Sequence, residues 1–111
     1  MAAYVPRKGD FVAITFDPQS GHEQRGRRPA LVVSNDLFNK HAGVCIVSPI
    51  TNTRRDYPFH VTIPEGQKVT GVVVVEQIKS IDFHSRDVKR IGSAPEPVLQ
   101  EVLPILDACI Y

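Results

Sequence analysis

Six short β-prone stretches, the first five separated from one another by Gly, Pro, Asn or Asp, occupy the chain from residue 11 to residue 83, and only the last segment has helical periodicity. Strands are expected at 11–16, 30–34, 44–48, 59–63, 72–78 and 80–83. In the first, Val12, Ile14 and Phe16 share one face while Ala13 and Thr15 share the other, the period of two of a half-buried strand. Gly9-Asp10, Asp17-Pro18, Asn35-Asp36, Pro49 and Pro64-Glu65-Gly66 supply the fixed or positive φ angles that reverse a chain. Four consecutive valines, Val72 to Val75, predict a central strand covered on both faces. From Val98 onward, Val98, Leu99, Val102, Leu103, Ile105, Leu106, Cys109 and Ile110 recur at spacings of three and four and mark an amphipathic helix. Ser93 and Glu96 fit a capping box at its start, and Pro104 is expected to bend it or split it. The expected fold is mainly β (α+β), a small antiparallel barrel closed by one C-terminal helix.

At 111 residues there is room for one domain, spanning 1–111. With 42% hydrophobic and 23% charged residues, wholesale disorder and fibrous repeats are excluded. No apolar run approaches the roughly 18 residues of a membrane span, and no secretory leader is legible. A cytoplasmic protein with no membrane partner is expected. Cys45 and Cys109 lack zinc-like spacing and read as small buried hydrophobes rather than a disulfide. Residues 1–92 carry thirteen basic and nine acidic residues, whereas 93–111 carry three acids and no base. The body is basic and the tail acidic.

The chemistry concentrates in polar connections. Residues 17–29 are long for a hairpin link and contain His22-Glu23-Gln24-Arg25-Gly26-Arg27-Arg28, with planar guanidinium forks suited to phosphate oxygens. Arg28 abuts Pro29 and a strand, which places it on a rigid edge, with Arg25 and Arg27 on the loop. A second loop, 49–56, carries Thr51, Asn52, Thr53, Arg54 and Arg55. A third patch, Glu76-Gln77-Ile78-Lys79-Ser80, interrupts two hydrophobic runs, and such interruptions are often paired or functional. His60 alternates opposite Phe59 and Val61 and is expected to face solvent. The four histidines and the carboxylates show no metal-ligand spacing, so no catalytic metal is expected.

Taken in order, Val5-Pro6, Gly9-Asp10, Phe16-Asp17-Pro18, Gly21, Glu23-Gln24, Gly26 and Arg28-Pro29-Ala30-Leu31-Val32-Val33-Ser34 resemble the MazF/PemK (Kid) endoribonuclease toxins of type II toxin-antitoxin modules. The resemblance continues through Val47-Ser48-Pro49-Ile50-Thr51-Asn52, Tyr57-Pro58-Phe59, Gly71-Val72-Val73 and Glu76-Gln77-Ile78-Lys79-Ser80-Ile81. It implies an SH3-like barrel with a C-terminal helix, a homodimer, and sequence-specific cleavage of single-stranded RNA without metal or other cofactor. By resemblance Arg28 and Thr51 stand at the catalytic arginine and threonine, and Glu23, Gln24 and Gln77 at active-site neighbours.

That assignment is chemically coherent because RNA carries its own nucleophile, the 2′-hydroxyl beside the scissile phosphate. In-line attack leaves a 2′,3′-cyclic phosphate and a 5′-hydroxyl, and Arg28 and the Thr51 hydroxyl are suited to stabilise the charge that develops. Arginine, with a pKa above ~12, is a poor base, and Glu23 is the alternative proton acceptor. Arg25, Arg27, Asn52, Arg54, Lys79 and Arg86, together with Gln24 and Gln77, would line the RNA path. The resemblance also implies a MazE-like antitoxin whose acidic C-terminal segment covers the basic groove, and DNA binding by the toxin-antitoxin complex. The first strand lacks a Trp and Asn52 follows Thr51, departures that bear on cut-site preference. Two competing readings use the same barrel: a gyrase poison like the CcdB toxins, whose terminal Trp is missing here, and a noncatalytic single-strand binding module, which would not require an arginine fork at position 28.

Overall fold

The computed structural model describes residues 4–15, 27–53 and 58–111. Seven strands run in chain order: β1 (Asp10–Thr15), β2 (Arg27–Val32), β3 (Cys45–Thr51), β4 (His60–Thr62), β5 (Val72–Val74), β6 (Lys79–Ile81) and β7 (Lys89–Ser93). A short helix, α1 (Asp36–Ala42), separates β2 from β3, and α2 (Glu96–Ile110) ends the chain. The strands form one antiparallel sheet in the order β4-β5-β3-β2-β1-β7, with β6 also on β3. The mainly-β architecture with a C-terminal helix is the one expected. Among the described residues no ladder joins the end strands β4 and β7, so the sheet is barrel-like without being closed.

Alternation places the side chains. On β1, Phe11 packs with Leu31, Val73, Val98 and Val102 in a core beneath α2, whereas Val12 and Ile14 join Ala30, Val32, Val47 and Ile81 in a second cluster. All four valines from 72 to 75 are buried, Val73 and Val75 in the core beneath α2, and β5 is an interior strand hydrogen-bonded to β3 on one side and β4 on the other. The stretch 72–81 follows a single edge of β3, Ile50 and Thr51 pairing with β5 and Cys45 to Val47 with β6. It is not one strand. A 3-10 turn at Val75–Gln77 breaks it where Glu76 and Gln77 interrupt the apolar pattern.

Asn35-Asp36, read above as a turn, instead opens α1. The Asn35 side chain accepts a hydrogen bond from the Phe38 N–H at 2.8 Å, and Gly43 ends the helix at φ 74°, its N–H donating to the Asn39 carbonyl. The helix escaped detection because seven residues hold too few periodic positions. Its anchor is Asn39, fully buried, whose Nδ2 donates to the carbonyls of Pro6 (2.7 Å) and Ser34 (3.2 Å) while its Oδ1 accepts from the Ser34 hydroxyl (2.5 Å). Asn39→Ala strands these groups in the interior and is expected to cost about 2 kcal/mol, readable as a lower midpoint in urea unfolding; a change within about 0.5 kcal/mol would mean the network is dispensable.

β7 was also missed. It is an edge strand with exposed Lys89 and Arg90, the charged pattern that protects sheet edges. Ser93 belongs to β7 and does not cap α2: its hydroxyl accepts from Arg90, and the next N–H, of Ala94, donates to the Gly9 carbonyl at 2.7 Å. Those tertiary bonds hold the chain on the sheet through residue 94. The helix therefore starts at Glu96, with Pro95 as an N-cap that makes no side-chain bond. Pro104 does not split α2, which runs unbroken for 15 residues. Its missing N–H leaves the carbonyl of exposed Gln100 to solvent. Val98 and Val102 face the core, but the apolar stripe outruns it: Cys109 and Ile110 are exposed.

Both cysteines are free, Cys45 buried as expected and Cys109, contrary to expectation, exposed. Burial alone pushes the Cys45 thiol up to about 12, so it stays protonated at neutral pH and out of reach of reagents. A thiol probe at pH 8 is expected to leave Cys45 unmodified until denaturant unfolds the sheet, and peptide mapping would show it; labelling of Cys45 in the native protein would contradict this packing. No helix among the described residues is long and apolar enough to cross a membrane.

Candidate active site

Arg28 stands near the start of β2, where β1 still pairs with it across Ile14 but the β3 ladder has not begun, since β3 first meets β2 at Ala30. Its exposed side chain is therefore presented at the sheet's lip. Two clefts meet there. One, about 470 Å³, has a floor of Ile14, Ala30, Val47 and Ile81 and a rim of Arg28, Lys79 and Arg86. The other, about 330 Å³, is bordered by Arg28, Thr51, Thr53, His60, Glu76 and Gln77. Gln77 also borders the first cleft, so it stands with Arg28 between the two. One cleft is apolar with a cationic rim, suited to a flat ring bearing phosphate; the other is polar.

Thr51 is the last residue of β3, held by its pairing with Val72. Its Oγ1 accepts from the Thr53 N–H at 3.1 Å, which turns the chain and leaves the hydroxyl proton to donate elsewhere. Asn52 is drawn into a supporting bond: its Oδ1 accepts from the Thr70 hydroxyl at 3.2 Å. The chain can approach this closely because residue 71 is glycine. Gly71 has φ +121°, and a Cβ there would lie 2.4 Å from the Thr51 carbonyl oxygen.

Of the residues singled out from the sequence, the fold thus brings Arg28, Thr51, Gln77, Lys79 and Arg86 to the clefts. Arg27 is elsewhere. It lies on β2 rather than on a loop, and its guanidinium donates to Asp87 Oδ2 (2.6 Å) and to the carbonyls of Asp87 (2.9 Å) and Ala13 (3.2 Å). It ties β1 to the turn before β7, with Asp87 in the left-handed region at φ 51°. Glu23, Gln24, Arg25 and Arg54 lie outside the described residues.

His60 corrects the sequence reading. Its side chain is only 6% exposed, with Nε2 3.5 Å from Glu76 Oε2. The signal was in the chain: His60 pairs with Val74, inside the valine run that predicts a sheet covered on both faces. Among the described residues no three of His, Cys, Asp and Glu gather closely enough to hold a metal ion.

The profile of PemK-like, MazF-like toxins of type II toxin-antitoxin systems matches residues 7–110. The chain belongs to this family. The Escherichia coli K12 endoribonuclease toxin ChpB is 45% identical over 108 residues, covering 93% of this chain and 92% of ChpB. The endoribonuclease toxin MazF of the same strain is 40% identical over 97 residues, 86% of each chain. Among solved structures, a Deinococcus radiodurans MazE-MazF crystal structure superposes with a TM-score of 0.89 at 42% identity, covering 97% of both chains.

Proposed function

We infer that this PemK/MazF-family chain is the endoribonuclease of a type II toxin-antitoxin module, a single domain acting in the cytoplasm as a homodimer on single-stranded RNA. The observation that carries this reading is the position of Arg28 between a polar cleft containing Thr51 and a cation-rimmed apolar cleft. A strand laid across this lip sets its scissile phosphate at Arg28 and its flanking nucleotides in the two clefts. The 2′-hydroxyl attacks in line, and the charge building on the phosphoryl oxygens is met by the guanidinium fork and the Thr51 hydroxyl. No metal-bound hydroxide is required, because the nucleophile belongs to the substrate. Lys79 and Arg86 follow the backbone into the apolar cleft and make binding salt-dependent. Names of relatives as endoribonucleases, and a MazE-MazF complex among the structural neighbours, support the activity and an antitoxin partner; the cationic rim suits a partner whose acidic segment would cover this face. Gln24, Arg25, Asn52 and Arg54 remain the proposed neighbours of the RNA path, and Glu23 the proposed alternative proton acceptor.

The test is incubation of the purified protein with a long single-stranded RNA and its DNA counterpart in EDTA, with cut ends mapped, beside Arg28→Ala and Thr51→Ala. The expected result is RNA cleavage at a recurrent short sequence, with 2′,3′-cyclic phosphate and 5′-hydroxyl ends, and loss of cutting in both folded variants. RNA bound but uncut across many sequences would instead make the chain a binding module and Arg28 a phosphate clamp.

A further inference from the structure

Arg86 brings a cation to the rim of the apolar cleft from the turn 82–88, between β6 and β7. The turn is anchored at its feet, where Phe83 and Val88 are buried in the second cluster, and within itself, where Asp82 Oδ1 accepts from the N–H groups of His84 (3.0 Å) and Ser85 (3.2 Å). Those contacts do not reach across to the lip that carries Arg28. Two others do. The Thr15 N–H, at the end of β1, donates to the Arg86 carbonyl at 3.1 Å. Arg27, next to Arg28 on β2, spreads its guanidinium over β1 and the turn together, donating through Nη1 to the carbonyls of Ala13 and Asp87 and through Nη2 to Asp87 Oδ2 at 2.6 Å. Asp87 sits at φ 51°, in the left-handed region that aspartate tolerates better than most residues and that glycine adopts freely. Its side chain is 64% exposed, and an exposed ion pair adds little to stability. What a planar fork bonded at three points does fix is geometry.

Resting on the endoribonuclease reading, we propose that Arg27 and Asp87 are positioning residues for RNA binding: their pair locks the turn 82–88 against β1 and β2 and so fixes Arg86 relative to Arg28. Arg28 is placed by its own strand, but Arg86 is placed by a turn that joins that strand only through β1 and this pair. A strand of RNA whose scissile phosphate lies at Arg28 then meets Arg86 at a set position along its backbone, and the ordering of a long side chain on a surface turn is completed before the RNA arrives. Arg27 itself is committed to Asp87 and to two carbonyls, so it serves the RNA path through Arg86 and makes no phosphate contact of its own.

The experiment measures equilibrium binding at several salt concentrations, using a fluorescein-labelled single-stranded RNA with 2′-deoxyribose at the scissile step so that it is not consumed. Arg86→Ala is expected to weaken binding about 10-fold and to lower the slope of log affinity against log salt by about 0.7, the loss of one phosphate contact on a single strand. Asp87→Gly holds the left-handed backbone and removes the carboxylate. It should weaken binding roughly 3- to 10-fold and lower the salt slope, although it deletes a negative charge beside the RNA. Asp87→Asn deletes the same charge but keeps an acceptor for Arg27 Nη2, and should lie between Asp87→Gly and wild type. In the Arg86→Ala background, Asp87→Gly should add no loss, because the pair acts only through Arg86. Asp87 is exposed, so both of its variants stay folded, with melting temperatures within about 4 °C of wild type. Tighter binding by Asp87→Gly and Asp87→Asn alike, the effect of charge removal alone, overturns the proposal, as do variants that bind like wild type or losses that multiply with Arg86→Ala. Wild type that binds unmodified RNA but leaves it uncut in EDTA overturns the endoribonuclease reading instead, and the comparison of the binding variants still decides the role of the pair.

Discussion

Arg28→Ala is expected to slow RNA cleavage by about 10²- to 10³-fold while leaving the fold intact. The fold survives because the side chain is exposed and its strand is held by backbone ladders that do not involve it. The rate falls because, among the described residues, the Arg28 guanidinium is the cation that borders both clefts, and its planar fork matches the scissile phosphate. Lysine separates charge from geometry. Arg28→Lys should restore much of the salt-dependent affinity for RNA, since one positive charge returns, yet remain far below wild type in saturated cleavage rate. The measurement is single-turnover cleavage at saturating protein, paired with binding at several salt concentrations. An Arg28→Lys variant as fast as wild type would show that position 28 contributes only charge.

Gly71→Ala is expected to remove about 3 kcal/mol of stability and, with it, roughly 10 to 20 °C from the melting temperature. Two costs coincide at this residue. A positive φ of +121° is rarely adopted by residues with a Cβ, and that Cβ would sit 2.4 Å from the Thr51 carbonyl oxygen and 3.0 Å from Asn52 Oδ1. The obstructing atom is backbone at the end of β3, so relief requires β5 and β3 to part where Thr51 pairs with Val72. Cleavage should therefore fall further than the folded fraction at the assay temperature, because the Thr51 hydroxyl moves with its strand. Gly66 is the internal control. Its φ is +93° but no atom lies within 4 Å of its notional Cβ, so Gly66→Ala should cost only about 1 kcal/mol. Equal costs at the two positions would sink the close-approach argument.

Most strands were legible because their two faces meet different surroundings: the alternation in β1 and the unbroken valines of β5 each announced their burial. The ordered family motifs singled out Arg28 and Thr51, and the interruption of an apolar run singled out Glu76-Gln77; the fold brings all four to the clefts. The errors share a cause. Ser93 has the chemistry of a helix cap, but the Gly9 carbonyl captures the next amide and keeps the chain on the sheet. Arg27 has the chemistry of a phosphate ligand, but strand alternation sends it from Arg28's side to Asp87, sixty residues away. His60 has the alternation of an outward residue, but the 3-10 turn brings Glu76 over it.

The chain's own pattern of periods and punctuation determined that there would be a small antiparallel sheet with an amphipathic helix at its end, since hydrophobic spacing and turn chemistry act over a few residues. Only the tertiary structure decided which polar side chains share a cleft. Those encounters depend on where β3, β4 and the turn at Val75–Gln77 come to rest against one another, and long-range backbone hydrogen bonds and packing, not the neighbours along the chain, fix that arrangement.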